Sequence, residues 1–137
     1  MAIENPSREK IGQILKKAKR IAVVGLSANP ERTSYMVAEA MQKAGYDIIP
    51  VNPVVDEVLG VKAVATLKDI DGKVDIVNVF RRSEFLPELA KEAVEIGADV
   101  FWAQLGVEHE GAYDYLKENG MTTIMDRCIK VEHALTK

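Results

Sequence analysis

Apolar residues follow two patterns along this chain, and the two patterns alternate. Short continuous apolar runs, such as Ile21-Ala22-Val23-Val24, are typical of strands that are buried on both faces of a parallel sheet. Between these runs, apolar residues recur at the spacing of a helix with one buried face, as they do over residues 33–44. The chain is therefore predicted to alternate strands with helices.

The predicted strands cover residues 21–25, 47–51, 74–80, 99–103 and 121–125. The predicted helices cover residues 7–18, 33–44, 84–96 and 110–118, and a last short helix is expected in the tail. Ser7 is the expected N-cap of the first helix, and Gly45, Gly97 and Gly120 are expected to end the next three. Residues 54–70 are less regular and predict a short excursion that turns at Gly60.

This order of elements predicts an α/β fold, namely a Rossmann-like, doubly wound, five-stranded parallel sheet with helices on both faces. We expect the strand order 3-2-1-4-5, although a flavodoxin-like order, 2-1-3-4-5, fits the same pattern and stays open. The 137 residues have the size of one domain, and no linker, repeat or low-complexity tract divides them. One domain over residues 1–137 is therefore expected.

Composition narrows the class of protein. Apolar residues make up 47% and charged residues 28%, which is typical of a globular chain. The net charge of −3 argues against a nucleic-acid partner, which usually binds a basic face. The single cysteine, Cys128, rules out an internal disulfide and favours a reducing compartment. No apolar run approaches the roughly 20 residues that span a bilayer, and the first ten residues do not resemble a signal peptide. A cytoplasmic protein without a membrane partner is expected.

Five segments follow the predicted strands, and in open α/β sheets ligands bind at that carboxyl edge. In the first of them, Gly25 allows a sharp turn, and the next helix begins near Thr33. Free amides at a helix N-terminus attract phosphate, and Ser27, Arg32, Thr33 and Ser34 add side-chain donors. The alternative is that Thr33 or Ser34 only caps the helix. The five segments are residues 25–34, 51–53, 80–83, 104–106 and 126–128.

The same loop departs from the motifs of dinucleotide and nucleoside triphosphate sites. Ser27 and Pro30 replace the second and third glycines of G-x-G-x-x-G. Asn52 and Pro53 stand where NAD-binding proteins carry an acid for the ribose hydroxyls. The Walker pattern with its lysine does not occur either. A nicotinamide or triphosphate site is therefore disfavoured.

Six short segments together resemble the small stand-alone CoA-binding proteins of the YccU-like group. They match in order and spacing over roughly residues 4–133. The segments are Val-Gly-Leu-Ser at 24–27, Pro-Glu-Arg-Thr-Ser-Tyr at 30–35, Ile-Pro-Val-Asn-Pro at 49–53, Val-Phe-Arg at 79–81, Gln-Leu-Gly-Val at 104–107 and Met-Asp-Arg-Cys at 125–128. That group is in turn similar to the N-terminal, CoA-binding domain of the succinyl-CoA synthetase α subunit.

The resemblance implies a Rossmann-like domain whose ligand is coenzyme A or an acyl-CoA. It implies that the pyrophosphate lies at the start of the second helix. The segments after the second and fourth strands then contact the adenosine and the pantetheine arm, and the segment after the third strand lies beside the ligand. The synthetase has a lysine near the 3′-phosphate, and Val55 stands at about the matching position here. The implied contacts are Ser27, Ala28, Asn29 and Arg32 for the pyrophosphate, Val51, Asn52 and Pro53 for the adenosine, Phe80 and Arg81 for the flank, and Ala103, Gln104, Leu105 and Gly106 for the arm.

No catalytic constellation is evident in the sequence. Arg127 and Cys128 are also predicted to lie at the ligand site, where a neighbouring cation favours a reactive thiolate. A mixed disulfide between Cys128 and CoA competes with a buried structural role for this cysteine. Asp126 and Arg127 are expected to form an ion pair. The histidines are predicted to be surface residues, because no His/Cys/Asp spacing matches a metal site.

Three functions follow from these patterns. The first is non-catalytic binding of CoA or an acyl-CoA. The second is an NAD(P)-linked oxidoreductase on the same fold. The third is a CoA-binding subunit that pairs with a separate acyl-CoA synthetase chain. A homodimer also stays open.

Overall fold

The helices and strands follow the alternation that the sequence predicts. The computed structural model describes residues 3–136, so three residues of the expected domain (Met1, Ala2 and Lys137) lie outside the described residues. The α-helices within that range are α1 (Arg8–Lys17), α2 (Thr33–Lys43), α3 (Leu86–Glu95), α4 (Glu110–Glu118) and α5 (Ile129–Leu135). The strands are β1 (Arg20–Val24), β2 (Asp47–Val51), β3 (Glu57–Val58), β4 (Val61–Lys62), β5 (Ile76–Val79), β6 (Val100–Ala103) and β7 (Thr122–Ile124).

Five strands form one parallel sheet in the order β2-β1-β5-β6-β7. In β1, Ile21 lies beside Ile48 of β2 on one side and Ile76 of β5 on the other. The remaining strands, β3 and β4, form an antiparallel hairpin. Leu59 and Gly60 turn this hairpin with positive φ angles of 55° and 76°, which confirms the turn expected at Gly60.

The predicted fold class is confirmed, and the strand order needs one correction. Over the five strands alone the chain order is 2-1-3-4-5, because β5 pairs with β1 and not with β2. Beyond β2, however, Val64 forms a single parallel bridge with Val51. If Val64 is counted as a third strand, the strands numbered along the chain lie in the order 3-2-1-4-5-6. This is the expected 3-2-1-4-5 order with one more strand, β7, at its end. The doubly wound arrangement is therefore as expected. The expectation placed residues 74–80 beside β2, where the structure has Val64, whereas residues 76–79 form β5 and pair with β1.

Each strand buries residues on both faces of the sheet, so two hydrophobic layers form. On one face, Ile21 and Val23 of β1 pack with apolar residues of α1, α2 and α5. On the other face, Ala22 and Val24 pack with α3 and α4. Trp102 of β6 is completely buried in the first layer. The continuous apolar runs in the sequence are explained by this burial on both sides.

Local sequence signals determine several helix ends. Ser7 has extended backbone angles, and its Oγ accepts a hydrogen bond from the Lys10 amide at 3.2 Å, which confirms the predicted N-cap of α1. Helix α3 begins at Leu86, after a 3₁₀ turn over Ser83–Phe85, with proline in its first turn. Among the described residues, no helix combines the length and the apolar character that crossing a membrane requires.

Candidate functional site

The loops that follow β1, β2, β5 and β6 line three clefts at the carboxyl edge of the sheet. The α2 cleft has a volume of about 670 Å³ and is lined by Gly25, Ser27, Glu31, Arg32, Thr33, Ser34, Asn52, Val54, Val55 and Phe80. The β5–β6 cleft, of about 560 Å³, is lined by Thr33, Phe80, Arg81, Arg82, Ser83, Gln104, Leu105, Gly106 and Val107. The α3 cleft, of about 270 Å³, is lined by Val24, Val51, Pro53, Ala65, Thr66, Leu67, Arg81, Phe85, Glu88, Leu89 and Glu92.

Helix α2 presents an uncapped N-terminus to the α2 cleft. Arg32 occupies the N-cap position in extended conformation, and no side chain accepts a hydrogen bond from the amides of the first turn. Those amides belong to Thr33, Ser34 and Tyr35, since the Met36 amide already donates to the Arg32 carbonyl at 3.1 Å. The arrangement leaves donors and the positive end of the helix dipole facing the cleft. Neither Thr33 nor Ser34 is the cap that the sequence offered as an alternative.

The polar side chains of the loop before α2 stabilise the loop itself. Ser34 is almost fully buried, and its Oγ accepts a hydrogen bond from the Ser27 amide at 3.0 Å. Ser27 Oγ accepts from the Asn29 amide, and Asn29 Oδ1 accepts from the Glu31 amide, both at 3.0 Å. These bonds hold the chain in a tight turn that leads into the helix. The loop is thus fixed in shape without any ligand.

Gly25 is required at the end of β1 for two reasons. Its φ angle is +85°, in the left-handed region that favours glycine. A Cβ at this position would lie 2.8 Å from the carbonyl oxygen of Phe80. This close approach brings the loops after β1 and β5 together at the mouth of the cleft.

Asn52 connects the loops that follow β1 and β2. Its Nδ2 donates to the Leu26 carbonyl at 3.1 Å, while its Oδ1 accepts from the Val54 amide at 3.0 Å. A carboxylate at this position could make only the second of these bonds, because it has no donor. The asparagine that replaces the acid of NAD-binding proteins thus has a structural function here.

Arg81 separates the β5–β6 cleft from the α3 cleft and lines both. Its guanidinium lies 4.2 Å from the ring centroid of Phe85, a cation–π contact that orients the side chain. Arg82 turns outward, with its side chain 84% exposed, and contacts Glu84 at 3.6 Å. Of this pair of arginines, Arg81 is thus the one held against the edge of the sheet.

The loop after β7 supports the loop after β6. The Asp126 carboxylate accepts a hydrogen bond from the Gly106 amide at 2.7 Å. Arg127 donates to the backbone carbonyl of Asp126 at 3.0 Å, and its own carbonyl accepts from the Trp102 indole at 2.9 Å. The ion pair expected between Asp126 and Arg127 is therefore wrong, because the Asp126 carboxylate bonds to a backbone amide instead.

Most of the residues proposed for the site lie along these clefts. Gly25, Ser27, Arg32, Thr33, Ser34 and Asn52 line the α2 cleft, Phe80, Arg81, Gln104, Leu105 and Gly106 line the β5–β6 cleft, and Val51 and Pro53 line the α3 cleft. Ala28, Asn29, Ala103, Arg127 and Cys128 line none of the three. Cys128 occupies the N-cap of α5, partly buried against the layer of α1, α2 and α5.

Sequence reasoning missed several lining residues. Val54 and Val55 line the α2 cleft, and Val54 is 86% exposed, which is unusual for a valine. The signal was the continuation of apolar residues past Pro53, beyond the end of β2. Glu31 also lines the α2 cleft, where its carboxylate opposes an anionic ligand. Nothing in its sequence context distinguishes it from a solvated glutamate.

The histidines lie away from these clefts. His109 is the N-cap of α4, and its Nδ1 accepts a hydrogen bond from the Ala112 amide at 3.1 Å. His133 packs edge-on against Tyr46, with ring centroids 5.7 Å apart. Over residues 3–136, no three histidine, cysteine or acidic side chains converge as metal ligands would.

Comparisons with known proteins give the chain a context. A family model described as "CoA binding domain" matches residues 19–134. The protein YneT of Bacillus subtilis is 64% identical over 135 residues, which cover 98% of this chain and 100% of YneT. A hypothetical protein from Pyrococcus horikoshii has a solved structure that superposes with a TM-score of 0.92, at 34% identity and with 99% of both chains covered.

A larger protein shares part of the sequence. The α subunit of ADP-forming acetate–CoA ligase II from Pyrococcus furiosus is 35% identical over 78 residues. These residues cover 56% of this chain but only 17% of that subunit. The similarity therefore concerns one part of a much longer chain.

Proposed function

This chain belongs to the CoA-binding domain family, and from that premise we propose that it binds coenzyme A or an acyl-CoA at the carboxyl edge of its sheet without catalysing a reaction. The diphosphate lies at the N-terminus of α2, beside Arg32. The rest of the ligand extends along the loops after β2, β5 and β6. The observation that carries the proposal is the uncapped first turn of α2, which opens into the largest of the three clefts.

Charge and hydrogen bonding at α2 suit a diphosphate. The free amides of the first turn and the helix dipole both favour an anion. Arg32 has no partner in any ion pair or side-chain hydrogen bond of the described residues, so its guanidinium is available for a bidentate contact with phosphate. Thr33 adds an exposed hydroxyl at the point where the α2 cleft meets the β5–β6 cleft.

The shape of the edge suits a long ligand. Thr33 and Phe80 line both the α2 cleft and the β5–β6 cleft, so the two clefts adjoin and a long ligand can extend from one into the other. Val54 and Val55 give the α2 end an apolar surface against which an adenine can pack, and Leu105 and Val107 give the other end a surface for a neutral arm.

Two features argue against a nicotinamide cofactor. Asn52 has no carboxylate for the ribose hydroxyls, and its side-chain amide already bonds to the Leu26 carbonyl and the Val54 amide. The first loop also lacks the second and third glycines of the dinucleotide fingerprint.

The chain is related to subunits of acyl-CoA synthetases, so pairing with a separate synthetase chain is a further proposal. Co-purification of a ligase subunit from a cell extract would support it.

Calorimetry with CoA, NAD, NADP and ATP in parallel tests the ligand. We expect CoA to bind with the highest affinity, because it alone combines a diphosphate with a long neutral arm. Binding of NAD in the absence of CoA binding would overturn the proposal. The same measurement with acetyl-CoA shows whether an acyl group is accepted.

Arg32→Ala tests the position of the diphosphate. Loss of a charge-assisted hydrogen bond is expected to weaken CoA binding by about 1.5–3 kcal/mol, or roughly 10- to 150-fold. Lys43→Ala is the matched control, since it removes one positive charge from the other end of the same helix, where Lys43 forms an exposed ion pair with Glu39 at 3.9 Å. Equal affinities for both variants and the unmodified protein would mean that the diphosphate binds elsewhere.

A further inference from the structure

The β5–β6 cleft contains one polar side chain that is buried and whose hydrogen-bonding capacity is only half used. Gln104 follows β6, is only 5% exposed, and lines the cleft. Its Oε1 accepts hydrogen bonds from Asn78 Nδ2 at 3.3 Å and from the Ile129 amide at 3.4 Å. Among residues 3–136, no atom accepts a hydrogen bond from its Nε2.

The orientation of this amide follows from its neighbours. Asn78 Nδ2 also donates to the Trp102 carbonyl at 3.3 Å, so a nitrogen must stand at that position of Asn78. The backbone amide of Ile129 is a donor in any orientation. Two donors therefore meet the same atom of Gln104, which must be its oxygen. The nitrogen, with two hydrogens, is not sealed away from solvent, and Gln104 is a lining residue of the cleft.

This network is rigid, so the donor is preorganised. Asn78 is 1% exposed and Trp102 is fully buried, and both lie in strands at the centre of the sheet. Ile129 is the first residue of α5, whose N-cap makes no side-chain hydrogen bond. Gln104 thus satisfies the first turn of α5 with its oxygen and presents its nitrogen at a fixed point of the cleft wall. The nitrogen is held in place by these neighbours, so it can donate to a ligand oxygen in the cleft without rearrangement of the side chain.

We infer that Gln104 recognises a carbonyl oxygen at the thiol end of the ligand. The inference rests on the proposed function, in which the diphosphate lies at α2 and the arm extends past Thr33 and Phe80 into the β5–β6 cleft. Phe80, Leu105 and Val107 form the apolar part of the cleft lining, which also includes Arg81 and Arg82. The apolar part favours a neutral arm, and within that arm the Gln104 amide selects an acceptor. Two carbonyls have this chemistry: the last amide of the pantetheine arm and the thioester of an acyl-CoA.

The test compares four ligands by calorimetry with the unmodified protein and Gln104→Met. The ligands are CoA, acetyl-CoA, S-ethyl-CoA, and adenosine 3′-phosphate 5′-diphosphate, which is CoA without its arm. Methionine keeps the length of the side chain but removes the donor. We expect the variant to bind arm-containing ligands about 2- to 10-fold more weakly, as for the loss of one hydrogen bond, and to bind the armless nucleotide unchanged.

The pattern across ligands identifies the carbonyl. Equal weakening for CoA, acetyl-CoA and S-ethyl-CoA assigns the contact to the pantetheine amide. Weakening that is confined to acetyl-CoA assigns the contact to the thioester carbonyl, because S-ethyl-CoA has the same two carbons on sulfur but a CH2 group in place of the carbonyl. Unchanged binding of all four ligands overturns the inference while leaving the proposed function intact. Failure of the unmodified protein to bind any of them contradicts the proposed function itself.

Two further variants protect the test from effects on folding. Gln42→Met is the matched control: Gln42 is half-buried in α2, donates to the Leu59 carbonyl at 3.1 Å, and lines neither the α2 cleft nor the β5–β6 cleft. It should leave the ratios between ligands unchanged. Gln104→Glu keeps the acceptor for Asn78 and Ile129 but places an oxygen where the donor was, so it should weaken the same ligands as Gln104→Met. Equal weakening of the armless nucleotide by both Gln104 variants would overturn the inference.

Discussion

Several residues at the carboxyl edge make contacts between loops that are distant in sequence. Gly25 meets the Phe80 carbonyl, Asn52 bonds to the Leu26 carbonyl, and the Asp126 carboxylate accepts from the Gly106 amide. Each contact joins two loops that follow different strands. The edge is therefore shaped before any ligand arrives, and preorganisation of this kind lowers the entropic cost of binding.

Gly25→Ala tests the closest of these approaches. The new Cβ would lie 2.8 Å from a backbone oxygen, whereas at Gly97, which also has a positive φ, no described residue other than its chain neighbours comes within 4 Å of the added Cβ. Both substitutions strain the backbone by about 1–2 kcal/mol, but only the first also overpacks. Urea denaturation should show that Gly25→Ala loses about 1–3 kcal/mol more than Gly97→Ala. Equal losses would mean that the loop after β5 yields without cost.

Sequence alone indicated which side chains lie at the edge better than what they do there. Donation by Ser27, Arg32 and Ser34 to phosphate stays a prediction, whereas the hydrogen bonds that Ser27 Oγ and Ser34 Oγ accept within their own loop were not predicted from the sequence. The half-used amide of Gln104 was not predictable, because it depends on Asn78 and Ile129, which lie 26 and 25 positions away in the chain. Such partners are determined by the packing of strands and helices, which local sequence patterns do not encode.

At the scale of elements, hydrophobic periodicity predicted the bounds of the helices and strands better than the order of the strands in the sheet. The bounds of α4 match the prediction at both ends, and the strands β5, β6 and β7 lie within the predicted ranges. The strand order was harder to predict because it depends on which edge of β1 each later strand joins. The only pairing beyond β2 among the described residues is a single bridge at Val64, which is too short to leave an alternating or continuous apolar pattern in the sequence.

Helix α2 lacks a side-chain cap at its N-terminus, so we expect that a capping residue at position 32 would stabilise the protein. Aspartate at position 32 would accept a hydrogen bond from the first turn, since the backbone there is already extended at φ −80° and ψ 145°. Arg32→Asp should raise the free energy of unfolding by about 0.5–2 kcal/mol. It should also abolish measurable CoA binding, because its carboxylate occupies the amides and repels phosphate.

Arg32→Ala separates the two effects of that substitution. Alanine removes the guanidinium but caps poorly, so this variant should bind CoA weakly without a gain in stability. Chemical denaturation and calorimetry on both variants measure the two quantities independently. A stabilised Arg32→Asp protein that binds CoA normally would contradict the assignment of the α2 amides to the diphosphate.

At the scale of the whole molecule, α1 and α5, the first and last helices, close the structure on one face of the sheet. Glu132 of α5 has a side chain that is only 4% exposed, and Arg8 of α1 contacts both of its oxygens at 3.2 Å. A buried carboxylate needs such a partner. Because α5 begins at Ile129, whose amide donates to Gln104, this ion pair also supports the helix that holds the Gln104 side chain.

Arg8→Met should destabilise the protein by leaving Glu132 buried without its partner. The expected loss is about 1–2 kcal/mol, reduced from the usual value for bonds to charged groups because Arg8 is 57% exposed. Arg82→Met is the control, because Arg82 and Glu84 are 84% and 65% exposed and lie 3.6 Å apart. Its free energy of unfolding should change by no more than about 0.5 kcal/mol. Equal losses in the two variants would show that burial of Glu132 does not raise the cost.

Binding and stability are then coupled through the same fold. A ligand that binds only the folded state adds about 2.7 kcal/mol at a concentration 100 times its Kd. This exceeds the loss expected for Arg8→Met, so saturating CoA should return that variant to at least the melting temperature of the unliganded, unmodified protein. Thermal unfolding with and without CoA measures the effect. A variant that CoA fails to stabilise, while the unmodified protein responds, would mean that α1 and α5 control the shape of the cleft and not only the stability of the fold.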